Sequence, residues 1–142
     1  MPTVPLRTPM GNVPAEADEI IGSFALVNLS QYMPDQTIYF ALSHVQSGWG
    51  WGAWNDKEVA RRIAQELERE IPNWDEIYSE VDAGVRMQDM PERDILIRLY
   101  RRSFHDSHSL MPLRVAGYMP DVIIQEVEQH WASLGQNGGA AN

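Results

Sequence analysis

Between Ile20 and Val45 the apolar residues follow the short period of extended chain. Phe24 and Leu26 alternate with Ala25, Val27 and Leu29, and Ile38, Phe40 and Leu42 alternate with Tyr39, Ala41 and Val45. This alternation predicts two strands. Pro34-Asp35 between them is a turn signal, so an antiparallel hairpin with a longish loop is the economical connection. Two strands alone are marginal in water, so the hairpin is expected to pack on helices or to gain further strands.

From Asn55 onward the pattern changes to helical spacing. Asn55 followed by Glu58 resembles a capping box, and the residues after it place Val59, Ile63, Leu67 and Ile71 on one face until Pro72 ends the helix. A shorter helix starting near Asn73 or Trp74 presents Trp74, Ile77, Tyr78 and Val81, with Gly84 as its C-cap. Asp89-Met90-Pro91 reads as the start of a third, whose buried face is expected to carry Ile95, Leu96, Leu99, Tyr100 and Phe104. Pro120-Asp121 opens a fourth, burying Ile123, Ile124, Val127, Trp131 and Leu134. A short third strand is expected near 110–118 (Leu110 to Tyr118), against which Pro112 and Gly117 argue. The fold class expected is α+β: an N-terminal antiparallel β-hairpin packed against about four α-helices.

The two ends read differently. Residues 1–18 carry Pro2, Pro5, Pro9 and Pro14 and no apolar run, which predicts a disordered Pro-rich arm. Residues 135–142 contain no large apolar side chain and are expected to form a disordered tail, leaving 19–134 as the single folded domain. The arm lacks the apolar stretch of a secretory signal, and no segment approaches the roughly 20 apolar residues of a membrane span. A cytoplasmic protein without membrane contact is the expectation. At 142 residues the chain is long enough to build its own core, and with no cysteine it excludes disulfide scaffolds, thiolate metal sites and cysteine nucleophiles. Eleven basic against 20 acidic residues leave a net charge of −9, which argues against direct nucleic-acid binding.

Candidate chemistry falls in three places. In Gly48-Trp49-Gly50-Trp51-Gly52-Ala53-Trp54, the indoles either fill the junction of the sheet and the first helix, as large buried side chains usually do, or form an aromatic platform; within the set, alternation puts Trp49 and Trp51 on one side as the more exposed pair, whereas Trp54, next to the helix start, is expected to be structural. His105, Asp106 and His108 have the spacing of two imidazoles and a carboxylate on one helical turn, but a catalytic zinc site needs a further ligand from elsewhere, and a helix C-terminal cap explains them equally. His44 lies on the apolar face of Ile38, Phe40 and Leu42, where a buried neutral imidazole bonded to a neighbour is expected. The serines near histidines include no Gly-x-Ser-x-Gly elbow. Charge is the third feature. Ten acids between Glu66 and Asp94, against Arg69, Arg86 and Arg93, concentrate a balance of −7 in that stretch, while Arg98, Arg101 and Arg102 form a smaller basic patch partly paired with Asp94.

These features favour a non-enzymatic acidic interaction protein that binds a protein partner with a basic surface, of the kind that serves phages and mobile elements as an inhibitor or assembly factor. Trp49, Trp51, Glu76, Glu80 and Asp82 are the candidate binding residues, and no catalytic residue, cofactor or metal is expected. The alternatives are a carbohydrate or small-molecule module built on the Trp-rich loop, and a small hydrolase using His105, Asp106 and His108.

Overall fold

A computed structural model describes residues 2–8, 11–32, 39–105 and 120–140. Its strands are β1 (Thr3–Thr8), β2 (Gly11–Glu16), β3 (Glu19–Ile21), β4 (Phe24–Asn28), β5 (Phe40–His44) and β6 (Gly50–Trp54). Its helices are α1 (Lys57–Glu70), α2 (Trp74–Asp82), α3 (Arg93–His105) and α4 (Asp121–Ala140). The protein is therefore mixed α+β, with β4 and β5 forming the antiparallel pair that the alternation predicts. The possible strand at 110–118 falls outside the described residues.

Three layers result from the two faces of one sheet. Strands β3, β4, β5 and β6 pair in that order, all antiparallel. Phe24, Leu26 and Leu42 face the helices, where they join Trp51, Trp54, Leu67, Trp74, Leu99 and Phe104 in the main core. The other face carries small side chains, Ala25, Val27, Ala41, Ser43 and Ala53, all buried. Small residues let a second backbone come close, and β1 and β2 occupy that side: Val4, Ala15 and Ala17 pack on Ala25 and Val27.

That second sheet stands where a disordered arm is expected. Thr3 to Thr8 pair with Gly11 to Glu16 in register, and Pro5 faces Pro14. The prolines are tolerated because a two-stranded ribbon leaves alternate N–H groups without a neighbour to bond. Ala17 N–H to the Pro2 carbonyl (2.9 Å) extends the hairpin by one more bond, Asp18 N–H to the Leu26 carbonyl (2.8 Å) carries the chain on into the larger sheet, and the Ser43 hydroxyl to the Pro5 carbonyl (3.3 Å) ties the hairpin to that sheet. At the other end, α4 runs to Ala140, past the point where a tail is expected to begin.

Helix α1 lies across β3, β4, β5 and β6. Its cap is Asp56 rather than Asn55, because the Asp56 carboxylate reaches the N–H groups of Glu58 (2.8 Å) and Val59 (3.2 Å). The inward row is accordingly Ala60, Ala64, Leu67 and Ile71, with Val59 and Ile63 on its flank; the alanines bring the helix close to the large side chains of the sheet. Asp56→Ala is expected to cost about 1 kcal/mol by orphaning two N–H groups, and Asn55→Ala less than about 0.5 kcal/mol. Urea melts of the two variants check this, and the reverse order would refute it.

Helix α2 buries Trp74, Ile77, Tyr78 and Val81 as the periodicity predicts, and Gly84 (φ +91°) follows it with the Val85 N–H bonded back to the Glu80 carbonyl. In α3 the inward stripe is Leu96, Leu99, Tyr100, Ser103 and Phe104, while Ile95, one step off that stripe, is exposed. Helix α4 contributes Ile123 and Val127 to the main core, with Ile124 half-buried beside them.

Candidate functional site

The polar residues of α2 fall into two rows because its apolar stripe divides them. Asp75 and Asp82 lie on the side toward the sheet, while Glu76 and Glu80 lie one turn apart on the opposite side. Each row meets a different part of the protein.

On the sheet side, β5 ends in His44, whose side chain is 1% exposed. Its Nε2 lies 2.7 Å from Oδ1 of Asp75, and its Nδ1 lies 2.8 Å from the Ser47 hydroxyl and 3.2 Å from the Ser47 N–H. Since the Ser47 N–H donates to Nδ1, that nitrogen is the acceptor and Nε2 carries the proton given to Asp75. The ring stacks on Tyr78 at 4.5 Å between centroids and meets Phe24 edge-on. Burial lowers the His44 pKa, against the opposing pull of its Asp75 bond and of the charges on Asp75, Asp82 and Glu68, so the imidazole is neutral at pH 7. The expected buried neutral histidine is thus present. The Tyr78 hydroxyl meets no hydrogen-bond partner among the described residues, and burial raises its pKa.

Ser47, His44 and Asp75 have the composition of a nucleophilic triad but the reverse exposure. The serine is buried and the carboxylate is 65% exposed, and the Ser47 oxygen already accepts the Trp49 N–H at 3.2 Å. A nucleophile has to face its substrate. This arrangement instead ties a helix to a sheet.

The turn between β5 and β6 positions the tryptophans. Gly48 adopts φ +82°, closing a turn with its N–H on the His44 carbonyl (2.8 Å), and an irregularity in the register next to Leu42 and Ser43 leaves Trp51 without a direct partner. A bulge of this kind re-aims a side chain. Trp51 therefore points into the core together with Trp54, and both indoles converge on Ser103: Trp51 Nε1 donates to its hydroxyl (2.8 Å) and Trp54 Nε1 to its carbonyl (2.9 Å). Of the two rings expected at the surface, Trp51 is fully buried, and Trp49 is half-buried with its Nε1–H on Oδ1 of Asp82 at 2.6 Å. Trp54 is structural as expected.

On the other side of α2 lies a groove of about 370 Å³. It is lined by Glu76, Glu80, Asp89 and Glu92 together with the apolar Ile77, Val85, Met90 and Pro91, of which Ile77 and Met90 are buried. The acids here differ from three that face the arginines of α3. Glu66 pairs with Arg102 (3.0 Å), Glu70 with Arg98 (3.0 Å) and Glu126 with Arg101 (2.8 Å), so the basic patch of α3 binds α1 and α4 rather than Asp94. Glu80, Asp89 and Glu92 make no ion pair among the described residues, and Glu76 receives only the Asn73 amide at 3.4 Å.

Glu76 and Glu80 thus lie together at the groove, whereas Asp82 belongs with Trp49 on the opposite side of the helix. Asp89 and Glu92 were legible only as part of the general acidic excess. His105 ends α3, but its side chain, Asp106 and His108 lie outside the described residues. Among the described residues no group of three or more His, Asp or Glu side chains is arranged to hold a metal, and no helix is long and apolar enough to cross a membrane. The fold and site define an α+β protein with an acidic groove at the edge of its helical layer. No protein-family model, curated protein or solved structure matches the chain.

Proposed function

We propose that the protein is a non-enzymatic interaction protein, acting in the cytoplasm, whose acidic groove docks a basic segment of a protein partner. The observation that carries this reading is the pairing pattern. Glu66, Glu70 and Glu126 are matched by arginines of α3, whereas Glu76, Glu80, Asp89 and Glu92 make no ion pair among the described residues and share the groove with apolar side chains. A lysine- or arginine-bearing segment with an apolar side chain would satisfy both the carboxylates and the apolar lining. A partner whose basic surface normally holds nucleic acid would be blocked by such docking, which makes an inhibitor one form of the function. The Trp-platform alternative loses support, since two of its three rings are buried.

Titration with a peptide of alternating arginine and leucine tests the proposal. Glu76→Lys combined with Glu80→Lys is expected to weaken binding at least about tenfold, equivalent to about 1.4 kcal/mol, and added salt to weaken the wild-type complex steeply. Glu126→Gln, away from the groove, is the control and is expected to change little. Equal affinity for wild type and the double variant would reject the groove as the docking surface.

A further inference from the structure

Cations beside an apolar side chain, the chemistry that the groove accepts, are also present on the protein's own surface. We propose that the groove's first occupant is a second copy of this chain, which presents its α3 in a symmetric dimer and keeps the groove covered until a more basic partner displaces it. The competition between copy and partner rests on the docking reading above. The dimer itself does not.

Along the exposed side of α3 runs a cleft of about 570 Å³ in which four arginines, Arg93, Arg98, Arg101 and Arg102, stand against one acid, Asp94, with Ile97 among them. Arg93 makes no ion pair among the described residues. Arg98, Arg101 and Arg102 hold Glu70, Glu126 and Glu66, yet their side chains stay 54%, 49% and 60% exposed. A guanidinium with five N–H groups can bind a second carboxylate beside the one it holds. The acidic groove and the arginine cleft adjoin, since Glu92 lines the first and Arg93 the second. At their boundary stands Ile95, 36% exposed and one of four large apolar side chains left in solvent among the described residues. Pro91 of the groove lies four positions before it and Arg98 of the cleft three after, on the same row of the helix.

This arrangement is self-complementary. A two-fold axis along the boundary sets the acidic half of each copy on the basic half of the other and brings Ile95 beside Ile95 of the second copy. The result is an apolar centre within a charged rim, as interfaces are commonly built. With a net charge of −9 two copies repel one another in general, so the orientation that sets arginines on carboxylates is favoured over those that do not.

Analytical ultracentrifugation of the intact chain between about 5 µM and about 500 µM reads the dimer without any partner, and the average mass is expected to rise from one chain toward two. Glu76→Lys with Glu80→Lys, and separately Arg93→Glu with Arg98→Glu, should each weaken association at least about tenfold. An equimolar mixture of the two variants should restore it, because each substituted charge then faces its opposite. Ile95→Asp places an acid in the first turn of α3, where a helix favours one, and should also leave single chains. A single-chain mass for the wild type at every concentration would overturn the proposal, as would a dimer indifferent to these substitutions or variants that stay apart when mixed. The peptide of alternating arginine and leucine should dissociate the dimer, and a dimer that persists with the peptide bound would refute the second copy as occupant of the groove. Failure of the peptide to bind would refute the docking reading and leave the dimer standing.

Discussion

Trp51→Ala is expected to cost about 3–5 kcal/mol, a large share of the roughly 5–15 kcal/mol that holds a domain together. The indole is fully buried, meets Trp74 and Tyr100 edge-on at 5.6 and 5.9 Å, and donates to a Ser103 hydroxyl that is itself bonded to the Leu99 carbonyl at 2.7 Å. Its removal leaves a cavity where the sheet, α2 and α3 meet, and takes away one donor of the Ser103 network. Trp49→Ala should be clearly milder, because that ring is half-buried and its bond to Asp82 lies at the surface. Urea or guanidinium melts of the two variants check the order. A Trp51→Ala variant within about 1 kcal/mol of wild type would mean that the bulge does not drive this ring into the core.

Gly52→Val should be the second severe substitution, for the opposite reason. A Cβ at residue 52 would come within 2.8 Å of the Phe104 ring and 2.9 Å of the Trp54 ring, closer than carbon atoms pack. Those rings are stacked on each other at 5.6 Å, and both are buried, so neither can turn aside as a flexible chain end would. Overpacking of this kind costs about 1–3 kcal/mol or more, which lowers the melting temperature by about 2–8 °C for each kcal/mol. Phe104→Leu in the same chain should recover part of the loss by opening space beside residue 52. An unchanged melting temperature for Gly52→Val would show that the interface between sheet and helices is looser than the structure has it.

The parts of this protein that were legible in its sequence are those that the backbone alone dictates. Alternation at Phe24, Leu26, Phe40 and Leu42 marks strands because successive side chains of an extended chain point to opposite faces, and the four inward residues of α2 follow from helical spacing. Pro72 ends α1 because its ring cannot continue a helix. The acidic excess of residues 66–94 is arithmetic. Even the burial of His44 could be read, since it extends an apolar face.

What the tertiary structure decided concerns pairs of residues far apart in the chain. The prolines of residues 1–18 look like an arm because its few apolar residues, Val4, Ala15 and Ala17, acquire value only when the small-residue face of the sheet receives them. Trp51 and Trp54, three positions apart, should face opposite ways in a regular strand, and it took a bulge against β5 to turn both onto Ser103. His44 and Asp75 meet across 31 positions, and the arginines of α3 choose Glu66, Glu70 and Glu126 over a neighbour on their own helix. Local periodicity says that a residue has an inward face. Which surface it meets there, and which charges are left without a partner at the groove, depend on how the layers pack, and packing free energy belongs to contacts that no short stretch of sequence contains.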